Sequence, residues 1–163
     1  MDKDESCLEN VKREYFVLQG KYGLPDFDTL NKDFQIEKVA ETETEILLRE
    51  VRRFVFDKIS NYMRFLEGLL NPSGASMFVF SILKSLNSDD KKLAEKIYKK
   101  LMALEIDLME IDITYDEEKE AEFIKKSFNE WSEIKQDWAK IISSIKKNWD
   151  NQIERNNGRG YFG

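Results

Sequence analysis

Histidine is absent from all 163 residues. With it go the Ser-His and Cys-His nucleophile pairs, the Glu-x-x-His di-iron sites and His-ligated zinc, and so most common hydrolase chemistry. Cys7 is the only cysteine, which excludes an internal disulfide framework and a thiolate metal cluster and suits a reducing compartment. Two prolines and seven glycines are too few for a sandwich or small barrel with many tight turns. Long apolar runs are missing as well. The most apolar stretch, Ala75 to Leu83, is far short of the roughly 20 residues a helix needs to cross a bilayer, and reads instead as a buried hairpin. The start, Met1-Asp2-Lys3-Asp4-Glu5-Ser6, is polar and acidic and has no secretory pattern, so a cytoplasmic setting is expected.

What is present is amphipathic. Hydrophobic residues make up 41% and charged residues 36%, too apolar for an unfolded chain and richly charged for a folded one, which suggests helices with one apolar and one solvated face. A net charge of −6 argues against nonspecific binding to nucleic acid. The expected fold is all-α: a bundle of about six helices, with one helical domain over 1–155 and a flexible tail over 156–163.

Leu8, Val11, Tyr15, Leu18 and Tyr22 alternate at spacings of three and four, predicting a first helix from about Asp4 to Tyr22, stopped by Gly23 and Leu24-Pro25. Asp26 suits the cap of a short helix carrying Phe27, Leu30 and Phe34; Gln35 to Glu41 is ambiguous. Thr42-x-x-Glu45 matches a capping box before a long central helix. That helix bears Leu48, Val51, Val55, Ile59, Tyr62, Leu66 and Leu69, widened by Leu47, Phe54, Met63 and Leu70, so several partners must contact it. Ser73 is the expected cap of the helix from Ala75 to about Leu86, and Asn87-Ser88-Asp89-Asp90 starts the next. Its pattern of Leu93, Ile97, Leu101, Leu104, Leu108 and Ile111 runs to a break at Thr114-Tyr115-Asp116. A final helix from about Asp116 to Glu154 would span roughly 55–60 Å. Its Trp131, Trp138 and Trp149 fall within about 20° of one another around the axis.

The tryptophan row reads first as core. Its distal end, Trp149 and Ile153, would outrun a bundle of shorter helices and need a partner, and Tyr161 and Phe162 in the tail add a docking motif to that expectation. Lys92, Lys96, Lys99 and Lys100 form a candidate anion-binding face, with a solvated face as the plain alternative. Arg49, Arg52 and Arg53 form a second basic set, for which Glu45–Arg49 and Arg53–Asp57 spacings offer helical ion pairs. Glu105 to Glu122 holds nine acidic residues and one lysine, where a divalent metal could be sought, but an acidic helix start accounts for it more simply. No catalytic residues, metal ligands or cofactor are assigned.

Leu24-Pro25-Asp26-Phe27, Leu48-Arg49-Glu50-Val51-Arg52-Arg53 and Leu70-Asn71-Pro72 followed by Met77-Phe78-Val79-Phe80-Ser81 together resemble small uncharacterised all-helical proteins from archaea. The resemblance implies an archaeal cytoplasmic setting and no chemistry. A looser likeness is to the helical domain of the GINS replication subunits, whose small β-domain has no counterpart in this sequence. The functional expectation is therefore a helical interaction or assembly protein, self-associating or binding a protein partner. A metal-dependent all-α nucleotide hydrolase is the second reading and a nucleic-acid-associated protein the third. No membrane association is expected.

Overall fold

The computed structural model describes residues 3–42, 44–74 and 76–157, with side chains described between 7 and 149. Six α-helices and one 3-10 helix follow in order: α1 (Lys3–Tyr22), α2 (Phe27–Phe34), the 3-10 helix Ile36–Glu41, α3 (Leu47–Leu70), α4 (Met77–Ser85), α5 (Ser88–Ile113) and α6 (Glu117–Asn157). No strand occurs among the described residues. None of the described helices is long and apolar enough to cross a membrane.

The described residues pack as two compact units, one within 1–61 and 102–131 and the other within 62–101 and 132–163. A single domain over 1–155 was the expectation from sequence. The boundaries fall inside α3, α5 and α6, where no proline, glycine run or change in composition marks them.

In the first unit, α1 ends where Gly23 adopts φ 65° and its N–H returns to the Gln19 carbonyl at 2.8 Å. Glycine enters this left-handed region without the Cβ penalty. Asp26 caps α2, accepting from the Thr29 N–H at 3.0 Å. Gln35, at φ 55°, then breaks the helix before the 3-10 turn. Asn31 braces that break by accepting from the Glu37 N–H at 2.9 Å and donating to its carboxylate at 2.8 Å. This local bracket explains a segment whose apolar spacing alone is ambiguous. The core gathers Leu30, Phe34, Ile36, Val51, Val55 and Ile59 with Leu104, Ile124 and Trp131. Phe34 lies 5.9 Å from Trp131, and Lys58 sits over both rings while donating to the Asp33 carbonyl. Tyr15, fully buried, donates to the Pro25 carbonyl at 2.8 Å and meets Phe27 edge-on; burial pushes its hydroxyl pKa above the ordinary value.

In the second unit, Met63, Leu66 and Leu69 of α3 join Ile82, Leu86, Ala94, Ile97, Leu101, Ile134 and Ile141 in a buried cluster. Asn87 caps α5, accepting from the Asp89 and Asp90 N–H groups at 2.8 and 2.9 Å, and Asp90 answers by accepting from the Asn87 N–H at 3.1 Å. This reciprocal arrangement satisfies helix-terminal donors that have no intrahelical partner. Asp90 also accepts from Ser144 at 2.6 Å, tying the start of α5 to α6.

Two expected helix starts are displaced. Helix α3 begins at Leu47, not behind Thr42: Thr42 closes the preceding 3-10 turn, and Thr44 instead accepts from the Ile46 N–H at 3.0 Å. Helix α4 is capped by Ser76 rather than Ser73, because Gly74 turns left-handed at φ 82° and the helix forms only beyond that turn.

Candidate functional site

The stretch expected to be a buried hairpin is largely on the surface. Helix α4 buries Ile82 and Ser85, whereas Met77 is 82% exposed, Phe78 61% and Phe80 lies in the open as well. Among the described residues nothing buries the apolar side chains nearer the start of this nine-residue helix; only its C-terminal end is packed, at Ile82 and Ser85. That end is fastened by Asn148, which donates to the Ser85 carbonyl at 2.6 Å, while Trp149 of α6 meets Phe78 at 6.5 Å in a tilted contact.

The three tryptophans lose burial along α6. Trp131 is core, Trp138 is half-buried and edge-on to Tyr62 and Phe65 at 5.5 and 5.7 Å, and Trp149 is half-buried against the exposed Phe78. Of the expected partner-binding set, Trp149 is thus placed beside an apolar surface. Ile153, Tyr161 and Phe162 lie outside the residues whose side chains are described.

Helix α5 carries a second feature that its core periodicity hides. Leu104, Leu108 and Ile111 point into the first unit, but Met102, Ile106, Met109 and Ile113 form another stripe at spacings of four, three and four. Ile106 is 63% exposed, Met109 66% and Ile113 83%. At 100° per residue this stripe lies roughly 150° around the helix from the buried seam. The second 3–4 repeat was present in the sequence as the signal that could have revealed it.

The expected charged clusters are dispersed into pairs. Lys92 approaches Asp89 at 3.6 Å, Lys96 pairs with Asp137 at 2.9 Å and Lys100 with Glu133 at 2.6 Å; Lys99 is exposed. The carboxylates after Glu105 likewise take separate partners. Glu110 pairs with Lys119, Asp107 with Lys126, and Glu117 accepts from Tyr22 at 2.7 Å and Lys21 at 2.9 Å. Those two donors hold the Glu117 carboxyl below its ordinary pKa, the Tyr22 hydrogen bond contributing most. Among the described residues no group of three His, Cys, Asp or Glu side chains is placed to hold a metal ion.

The arginines also depart from the spacing-based pairs. Arg53 pairs with Glu50 at 3.1 Å rather than with Asp57. Arg49 lies 3.6 Å from Glu120 and over the Tyr115 ring; Glu45 precedes the first turn of α3, which begins at Leu47, so the helical spacing that would pair it with Arg49 is not formed. Arg52 bridges Glu120 at 2.5 Å and Asp112 at 2.9 Å, with Arg52 and Glu120 both buried. Burial pushes the Glu120 carboxyl pKa upward, and Arg52 and then Arg49 work against that shift. Arg49, Arg52, Arg53, Asp57 and Asp112 line a cleft of about 400 Å³, but the acids in and beneath it offset the guanidinium charge that an anion would need.

No protein-family model, curated protein or solved structure matches the chain.

Proposed function

We propose that this chain is a helical interaction or assembly protein whose working surface is the apolar face of α4 with Trp149. The observation that supports the reading is the exposure of Met77, Phe78 and Phe80 in the most apolar segment of the sequence. Single exposed apolar residues are ordinary; contiguous ones on one short helix mark contact surfaces. Covering a large apolar side chain contributes about 1.5–3 kcal/mol, so burying these residues in an interface would offset much of the cost of association. Trp149 is suited to the anchor role in which aromatic residues are enriched.

Light scattering coupled to size-exclusion chromatography tests this directly. The wild-type protein is expected to run heavier than its single-chain 19.3 kDa, and Phe78→Glu to return it to one chain with helical content unchanged. A one-chain mass for the wild type, with a crosslinking pattern in the native cell that Phe78→Glu leaves unaltered, sinks the reading.

A further inference from the structure

Among the described residues nothing covers the outer stripe of α5, and its surroundings specify what would. Met102, Ile106, Met109 and Ile113 extend along about 16 Å of helix. From Leu101 to Ile113 the helix carries Glu105, Asp107, Glu110 and Asp112 and no basic residue. Helical geometry puts Glu105 and Asp112 along one border of the stripe and Asp107 and Glu110 along the other. Three of these acids make ion pairs inside the chain, with Lys126, Lys119 and Arg52. They nonetheless stay accessible: the Glu110 and Asp112 side chains are exposed, and Asp107 is partly so. Glu122 adds another carboxylate beside Asp107 and Glu110, and Arg52 is already shared with Glu120, so acid outnumbers base around the stripe.

We infer that this face of α5 docks an amphipathic helix of another protein whose apolar stripe is bordered by lysine or arginine. The spacing of four, three and four is the seam that a second helix packs against with knobs in holes, and border charges set partner choice in such pairs. A second copy of the chain fits poorly. Laid parallel or antiparallel along the stripe, it sets Glu105, Asp107, Glu110 and Asp112 against the same acids, and like charges so juxtaposed disfavour association. A basic helix meets the same border with opposite sign. The inference rests on the reading of the chain as an interaction protein, but it uses a surface separate in sequence from α4.

The test uses the full chain and two synthetic peptides of about 18 residues, a length at which partner packing can hold a helix. Both carry leucine at alternating three and four spacing; one has lysine at the bordering positions and the other glutamate. By fluorescence anisotropy the lysine peptide is expected to bind at least ~10-fold more tightly than the glutamate peptide, and to weaken as ionic strength rises. Ile106→Glu with Met109→Glu separates docking on the stripe from attraction to an acidic protein. The added carboxylates would tighten purely electrostatic binding, whereas loss of the apolar seam is expected to weaken lysine-peptide binding at least ~10-fold, since burial of each such side chain counts for more than one factor of ten. Both residues are exposed, and circular dichroism confirms that the variant is folded. Equal affinity for the two peptides, unchanged or tighter binding to the variant, or self-association abolished by the variant overturns the inference. Phe78→Glu keeps the two readings apart: it is expected to leave peptide binding unchanged, and loss of binding there would move the peptide to α4 and overturn the α5 assignment. Should Phe78→Glu leave the mass unaltered while the stripe variant loses the peptide, the reading of α4 fails and that of α5 stands.

Discussion

Arg52 and Glu120 are separated by 68 residues and meet out of contact with water. Each alone would be an expensive group to bury; together they are paired, with Asp112 on the second guanidinium edge, although Glu120 Oε1 accepts no hydrogen bond and is approached only by Arg49 at 3.6 Å. Removing one partner leaves an uncompensated buried charge, so Glu120→Ala is expected to lower stability by about 3–5 kcal/mol in urea unfolding. Replacing Arg52 and Glu120 together with methionine is expected to recover most of that loss, since the pair's attraction does little more than offset its own desolvation. A double variant as unstable as Glu120→Ala would show instead that the ion pair itself stabilises the fold. The sequence leaves one trace of this contact: Arg49 and Arg53 have acids at helical spacing, but Arg52 has none three or four residues to either side, while Glu120 sits unmarked among the acids of a helix start. Only the packing of α3 against α6 within the first unit selects it.

At the scale of elements, the start of α5 is the most explicit device in the chain. Asn87→Ala removes the side-chain acceptor of the Asp89 and Asp90 N–H groups, while the Asp90 carboxylate keeps the backbone N–H of residue 87 and the Ser144 hydroxyl. The expected cost is about 1 kcal/mol, read as a lower urea midpoint with an unchanged slope. This start was legible because its capping residues directly precede the helix. Six helices, their order and the seam of Ala94-to-Ile111 residues follow from apolar spacing in the same way. Two caps were misplaced for a shared reason: Thr42 and Ser73 have the right chemistry, but a 3-10 turn and a left-handed glycine intervene before the helix. The exposed α4 was illegible for another reason. Hydropathy records what a side chain gains from burial, not whether the fold brings anything to bury it, so Phe78 and the core residue Phe34 look alike in sequence.

For the whole molecule, acid sensitivity follows from paired carboxylates. Glu117 is held below its ordinary pKa by Tyr22 and then Lys21, and Asp137 by Lys140 and then Lys96. A carboxylate whose folded pKa is depressed contributes stability above its unfolded pKa and loses it as pH falls through the folded value. The melting temperature is therefore expected to fall below about pH 4. Glu117→Gln should melt below wild type at pH 7, with the gap closing at pH 3; a gap that persists at pH 3 would assign the loss to something other than the charge. The composition, with no histidine, allows no comparable side-chain titration near neutrality from that residue type.

The two stripes of α5 run for different lengths. Leu104, Leu108 and Ile111 continue a seam begun by Ala94, Ile97 and Leu101, all buried, whereas the stripe of Met102, Ile106, Met109 and Ile113 gives way toward the start of the helix to Lys91, Glu95 and Lys99, all exposed. Rolling the helix half a turn would therefore push charge inward over its first half, which fixes the rotation of the whole continuous rod. Asp112 reaching Arg52 on α3, with Asp107 and Glu110 reaching Lys126 and Lys119 on α6, agrees with that orientation at the other end. The outer apolar residues are thus held at the surface by a polar stretch nearer the helix start, not by anything they touch.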